Sequence, residues 1–339
     1  MNISWEKVLL VWNRWHKNLW DELILIWNIK LLLKQWKEIY VACSNKQWLK
    51  NFHKQFFEDC DFCDLEENEN GYFDKNKQKQ VITYLQELPK GFRSFFRFLK
   101  NIKDFFVMLK VDSVLIGWWE IFTEETPFSY FYWFASVWPL FFWKKLYLSW
   151  WIQIPKKIWN KLIFKLFLWK AEKIYTRDYD LVWKINKVEF FPDTSLYVML
   201  WSKKYVVDEK NYKWLNNTEK QDWIVVNINK KAEKFFPEIE NIVENFYRQW
   251  KNLYFARVCK SPLDDDIVYY HKLKQKFVWI KLLDWEDFFG FLKILEGAEK
   301  VYTTRLHLFL ISFYLNLEVE PFVYQKKVEK MKKVLGVRN

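Results

Sequence analysis

Glycine is scarce in this chain, with 6 among 339 residues, about 2% against a usual level of about 7%. A chain of this length reads as two domains at about 100–200 residues each. Such domains need turns with φ > 0, which glycine supplies without steric cost. Six glycines exclude an ordinary set of glycine-rich loops. Cysteine is also scarce: four residues exclude a secreted disulfide scaffold. Neither a Walker A loop nor an H-E-x-x-H pair is present, which removes the two commonest phosphate-loop and zinc-protease signatures. Met1–Val11 contains Glu6 and leads to no small-residue cleavage site, so no signal peptide is read. Phe128–Trp143 lacks charge but contains Pro139 and falls short of the roughly 18–20 residues that span a bilayer. It reads as a buried helix, with an interfacial aromatic surface as the alternative.

What is present is apolar and basic. The chain is 51% hydrophobic and carries 54 Lys+Arg against 42 Asp+Glu, a net charge of +12, so a disordered chain is excluded. There are 23 tryptophans, and many fall where turns belong. Lys7–Val11 (KVLLV) is a short apolar run of the kind that forms a buried parallel strand. After it come Trp12, Trp15 and Trp20, ahead of a helical pattern. Ser113–Gly117 is followed by Trp118 and Trp119, and Leu146–Ser149 by Trp150 and Trp151. A strand-to-helix loop in an α/β unit is ordinarily glycine-rich. Reading Trp12, Trp15, Trp20, Trp27, Trp36, Trp118, Trp119, Trp143, Trp150, Trp151 and Trp159 as glycine brings glycine near its ordinary level. The expectation is that UGA encodes glycine here and has been translated as tryptophan. The alternative is a genuinely tryptophan-rich, membrane-facing protein.

With glycine at those positions, the N-terminal third resembles the polysaccharide pyruvyl transferase family. Asn18, Asp21 and Glu22 match that family's opening G-x-x-G-x-x-N-x-G-D-E loop, and Gly117-Trp118-Trp119-Glu120 matches its strand-ending glycine triplet. Trp150-Trp151-Ile152-Gln153-Ile154-Pro155 matches its third turn loosely. The C-terminal half is similar without any change. Ala171–Leu181 (AEKIYTRDYDL) resembles the A-D-x-I-x-x-R-D segment, and Ala298–Leu308 (AEKVYTTRLHL) the A-D-x-V-x-x-x-R-L-H signature. Phe191–Ser195 resembles the P-D-x-(A/S) turn, and Pro321–Val328 resembles P-x-x-x-Y-x-x-K-V. By its opening loop, the chain is most similar to bacterial enzymes that pyruvylate secondary cell-wall polysaccharide for surface-layer anchoring.

The resemblance implies an α/β chain of two Rossmann-like domains with parallel sheets facing a cleft, as in GT-B-like enzymes. Strand candidates alternating with helical segments agree with this. They are Lys7–Val11, Glu38–Ala42, Ser113–Gly117, Lys144–Ser149, Lys173–Tyr175, Trp223–Ile228, Asn252–Ala256, Val278–Ile280, Lys300–Tyr302 and Val319–Val323. Asp59–Gln80 reads as a surface loop. The expected division is 1–170 for the acceptor side, 171–324 for the phosphoenolpyruvate side, and 325–339 for a C-terminal helix.

The resemblance further implies pyruvyl transfer from phosphoenolpyruvate to sugar hydroxyls of a cell-surface polysaccharide or its lipid-linked precursor, forming a ketal without a cofactor. His307 suits proton donation, because imidazole titrates near neutral pH. Arg177 and Arg305 suit the anions through their guanidinium forks, with Leu306 between Arg305 and His307. Lys327 is a point charge for phosphate, or one of several solvated lysines. The rival for Arg177 is a salt bridge to a carboxylate such as Asp178. Asp21 is either a base for the sugar hydroxyl or a helix cap. Asn18 and Glu120 are acceptor-side candidates. Cys60 and Cys63 form a lone C-x-x-C with His53 upstream, too little for a structural zinc, which usually needs two such pairs; no metal is expected. The expected location is cytoplasmic, with a peripheral contact at the inner face of the membrane, and no nucleic-acid partner. Two other readings stay open: a GT-B-like glycosyltransferase using a nucleotide sugar, and a non-enzymatic basic module for membrane or RNA.

Overall fold

The computed structural model describes residues 7–11, 18–35, 38–43, 45–57, 60–63, 80–86, 102–122, 143–152, 155–176, 182, 185–190, 221–261, 264–324, 328–329 and 332. Two compact units emerge, one of Met1–Trp15 and Leu23–Val198, the other of His16–Glu22 and Met199–Asn339.

The first unit contains β1 (Lys7–Val11), most of α1 (Leu19–Leu33), β2 (Glu38–Cys43), α2 (Lys46–His53), β3 (Cys60–Cys63), β4 (Gln80–Gln86), α3 (Ile102–Lys110), β5 (Ser113–Phe122), β6 (Lys145–Ile152), α4 (Ile158–Lys170), β7 (Ala171–Thr176) and β8 (Val188–Phe190). Its strands form one parallel sheet in the order β3-β4-β2-β1-β5-β6-β7-β8. The runs KVLLV and EIYVAC are almost fully buried, as expected for strands covered on both faces. Met108 of α3 and Phe164 and Phe167 of α4 pack on Val11, Val114, Ile116 and Leu148.

The second unit contains β9 (Trp223–Asn227), a 3-10 turn (Lys230–Phe235), α5 (Phe236–Arg248), β10 (Asn252–Arg257), α6 (Ile267–Lys276), β11 (Lys281–Asp284), α7 (Phe288–Glu296), β12 (Ala298–Thr303), α8 (Leu306–Tyr314) and β13 (Glu318–Pro321). Its parallel sheet runs β11-β10-β9-β12-β13. Ile224, Val226, Leu253 and Phe255 pack against Ile239, Val243 and Leu273 of α5 and α6. α8 (LHLFLISFY) is apolar on nearly every side and buried from Leu306 to Ser312, the pattern of an interior helix. Beyond β13, Val328, Glu329 and Lys332 are helical and Val328 is buried.

Several boundaries differ from the sequence reading. The division comes later than residue 170, because β7 pairs with β6 and β8 with β7, which keeps both in the first sheet. The Gly117–Glu120 and Trp150–Trp151 segments, expected as loops after strands, are strand. The ladder continues through Trp118↔Trp150 and Glu120↔Trp151, with register shifts of the kind that mark an extra residue on one strand. Val278–Ile280 is a turn and the strand begins at Lys281; the apolar run misled because Val278 and Trp279 point to solvent. Cys60–Cys63 and Gln80 belong to β3 and β4 rather than to a loop. Phe128–Phe142 lies outside the described residues. Among the described residues, no helix is long and apolar enough to cross a membrane.

Candidate functional site

The second sheet reverses its strand order at β9, which lies between β10 and β12. Ligands of open parallel sheets bind beyond the carboxyl ends of the strands at such a reversal. The strands there end in Asn227 and Thr303. The Thr303 hydroxyl donates to Asn227 Oδ1 at 3.2 Å and accepts the Arg305 backbone N–H at 2.9 Å. The Asn229 backbone N–H donates to Thr304 Oγ1 at 3.0 Å, and Asn229 Oδ1 accepts the Ala232 N–H at 2.9 Å. Short polar side chains thereby tie the turns after β9 and β12 to each other.

Arg305 stands between β12 and α8 as the residue preceding the helix. Its Nε and Nη2 donate to Asp266 Oδ1 at 3.2 and 2.5 Å. Nη1 donates to Asp264 Oδ2 at 2.8 Å, and Nη2 to the Asp264 carbonyl at 3.0 Å. Asp266 is fully buried; its Oδ2 accepts the backbone N–H groups of Val258 and Cys259, both at 3.0 Å, and Asn227 Nδ2 at 3.2 Å. Burial opposes the charge on Arg305, but Asp266 and Asp264 outweigh it and hold the guanidinium protonated far above its ordinary range. The guanidinium expected to face a substrate anion is therefore occupied by two carboxylates of its own unit, and its geometry is that of a strut joining the β12–α8 turn to the loop before α6.

Asp265 completes the acidic run. It takes Arg257 in a bidentate pair, at 2.9 Å from Nε and 2.5 Å from Nη2. The nearly buried Lys260 pairs with Asp284 and with Glu286, the latter at 2.7 Å. Sequence reasoning missed Asp264-Asp265-Asp266. Three consecutive carboxylates one loop after a strand end were the available signal, since such a run needs cations beside it.

His307 sits in the first turn of α8 and is 8% exposed. The Trp20 indole lies flat on the imidazole, with ring centroids 4.8 Å apart and planes 9° from parallel. Trp20 reaches it because the Asn18–Glu22 segment belongs to the second unit. Asn18 bridges Cys259 in antiparallel fashion, and the Leu19 N–H donates to the Val258 carbonyl at 3.2 Å. Asn18 Oδ1 accepts the Trp20 N–H at 3.1 Å, a helix-cap contact. Capping at the start of α1 thus falls to Asn18, while Asp21 and Glu22 follow in the first turn, both buried, where the helix dipole favours acids. Burial pushes the neighbouring Cys259 thiol up to about 12.

The structure therefore brings Asn18, Asp21, Arg305, Leu306 and His307 into one unit, although the sequence divided them between two domains. Glu120 lies on β5 in the first unit. Arg177 and Lys327 lie outside the described residues, as do Trp12 and Trp15. Among the described residues there is no group of three His, Cys, Asp or Glu side chains suited to a metal ion. A groove beside β13, lined by Phe313, Leu317 and Phe322 among others, opens at the far end of α8 from His307 and contains no candidate residue.

Neither a protein-family model nor the sequence of a curated protein matches the chain. Solved structures do resemble it. UDP-GlcNAc 2-epimerase from Neisseria meningitidis bound to UDP-GlcNAc is 10% identical, with a TM-score of 0.54 over 96% of this chain and 85% of that one. The Methanocaldococcus jannaschii UDP-GlcNAc 2-epimerase in complex with UDP-GlcNAc and UDP is 14% identical, with a TM-score of 0.53 over 96% and 86%. A UDP-N-acetylglucosamine 2-epimerase homologue from Listeria monocytogenes gives 13% and 0.53 over 94% and 79%. At this identity the likeness carries the fold: two Rossmann-like domains of the GT-B kind.

Proposed function

We propose that this chain is a GT-B-like enzyme that transfers a pyruvyl group from phosphoenolpyruvate onto paired hydroxyls of a cell-surface glycan or its lipid-linked precursor. The observation that carries the reading is the Arg305-Leu306-His307 turn. It leaves the carboxyl end of β12 at the strand-order reversal, with Arg305 locked by Asp264 and Asp266 so that His307 is set at the head of α8.

In this reading His307 gives a proton to the methylene carbon of phosphoenolpyruvate, and C2 becomes oxocarbenium-like. One sugar hydroxyl bonds to C2, the C2–O bond to phosphate breaks, and a second hydroxyl closes the ketal. Of the two hydroxyl protons, one replaces that lent by His307 and the other leaves with phosphate. Arg305 acts as a positioning residue. Arg177 and Lys327 supply the cations for carboxylate and phosphate. Asp21 takes the hydroxyl proton or serves the helix start alone, with Asn18 and Glu120 on the acceptor side.

The reading includes glycine at Trp12, Trp15, Trp118, Trp119, Trp150 and Trp151, and at Trp20, which stands in the first turn of α1 rather than in a loop. Trp20 covers one face of His307, and a glycine there would open that face to a planar enol carboxylate. A second reading, a nucleotide-sugar enzyme, draws on the likeness to epimerases crystallised with UDP-GlcNAc. Phosphate release from phosphoenolpyruvate, assayed with a panel of glycan acceptors, separates the two. The variant with glycine at Trp12, Trp15, Trp20, Trp118, Trp119, Trp150 and Trp151 should release phosphate only with an acceptor. Adding His307→Ala should slow it by roughly 10²–10⁴. A folded glycine variant that is stabilised by UDP-GlcNAc and inert to phosphoenolpyruvate would favour the second reading and end the first.

A further inference from the structure

α4 has apolar side chains on two opposite faces. One face, with Phe164 and Phe167, packs into the core of the first unit. The other presents Ile158, Trp159, Leu162, Leu166 and Trp169, spaced by three or four residues and therefore in one stripe along the helix. Trp159 is 75% exposed and Trp169 68%. Core packing needs one apolar face, so the fold does not explain the second. Residues Pro155–Lys170 include Lys156, Lys157, Lys161, Lys165 and Lys170 and no Asp or Glu. At 100° per residue, Lys161 and Lys165 border the stripe on one side and Lys170 on the other.

We propose that the outer face of α4 docks this protein on an anionic lipid bilayer, with the stripe entering the headgroup–acyl boundary and the lysines meeting lipid phosphates. Tryptophan and leucine flanked by lysine is the composition of helices that lie in that boundary, and basic residues near an anionic leaflet add to the attraction. Charge argues against a second copy as the occupant, because two such faces would bring lysine against lysine. The proposal does not depend on pyruvyl transfer. With Trp159 read as glycine, Ile158, Leu162, Leu166 and Trp169 still form the stripe.

The test is co-sedimentation of the full chain, with its tryptophans and with glycine at Trp12, Trp15, Trp20, Trp118, Trp119, Trp150, Trp151 and Trp159, with vesicles of phosphatidylcholine alone or mixed with phosphatidylglycerol. Binding should require phosphatidylglycerol and weaken as salt is raised. Lys161→Gln with Lys165→Gln should weaken it by about 25-fold, about fivefold per lysine. Leu162→Glu with Leu166→Glu should abolish it while circular dichroism and the melting temperature stay unchanged, since both side chains face solvent. Equal binding to neutral vesicles, no binding to anionic ones, or full binding by the folded glutamate variant overturns the proposal. So does a dimer in solution that the same glutamates dissociate, which would make the stripe a self-interface.

Discussion

Trp250 has φ of 60°, in the left-handed region that a bulky residue rarely enters. It follows α5 and its cap Gln249. The Lys251 N–H donates to the Phe246 carbonyl and the Trp250 N–H to that of Tyr247, the bond pair of a helix end that ordinarily carries glycine. The same pair closes α8, where the left-handed position holds Asn316, a residue that tolerates it. Trp250 was not among the tryptophans singled out after strands in the sequence, and its backbone is one that glycine adopts without steric cost. Replacing it separates strain from packing, since its ring stacks on Trp279 at 4.4 Å. Both Trp250→Gly and Trp250→Ala lose the stack, and only glycine relieves the backbone. The glycine variant should be more stable than the alanine variant by about 1 kcal/mol, the reverse of helix propensity. Denaturant midpoints measure this, and an alanine variant at least as stable would show the backbone is not strained there.

At the scale of elements, the turn from β12 into α8 is held by one ion-pair cluster. Arg305 meets Asp266 and Asp264, and Asp266 also gathers the backbone after β10. Removing one member of a buried pair leaves the other charge in low dielectric, at about 3–5 kcal/mol. Asp266→Asn keeps an oxygen for the two N–H donors and leaves Arg305 with Asp264, so the loss should lie near 3 kcal/mol. Asp265→Asn should lose about 1 kcal/mol, the scale of a partly exposed pair, because Arg257 retains Asp284. Equal urea midpoints for the two variants would contradict the strut.

For the whole molecule, stability should fall on mild acidification. His53 of α2 is fully buried with Nδ1 2.7 Å from Tyr84 Oη, and burial holds its pKa down at about 3, against about 6.5 in an unfolded chain. Above pH 6.5 both states are neutral and nothing is lost. As pH drops below 6.5 the unfolded chain takes a proton that the folded one refuses, so stability declines by about 1.4 kcal/mol per pH unit until His53 protonates in the fold. Between pH 7 and 5, above most carboxylates, His53→Phe should flatten the dependence of the denaturant midpoint on pH. An unchanged slope would place the proton elsewhere.

The alternation of apolar runs determined the α/β class and most strands without tertiary information. KVLLV matches β1 to the residue, and the core of β12 was legible in AEKVYT. Such runs are legible because burial on both faces of a parallel sheet demands uninterrupted apolar residues. The short edge strand β3 was hidden, because an edge carries polar residues like a loop, and β4, an interior strand, was not among the strand candidates. The R-L-H triplet was visible as residues but not as roles. That Arg305 is taken by Asp264 and Asp266, and that Trp20 lies on His307, depends on contacts between positions about 40 and nearly 290 apart in the chain. The allocation of β7 and β8 to the first unit and of Asn18–Glu22 to the second likewise rests on pairing partners. Local pattern sets which residues are strand, helix or turn. Which charge finds which partner is decided when the folded chain brings distant segments together and each buried charge takes the opposite charge within reach.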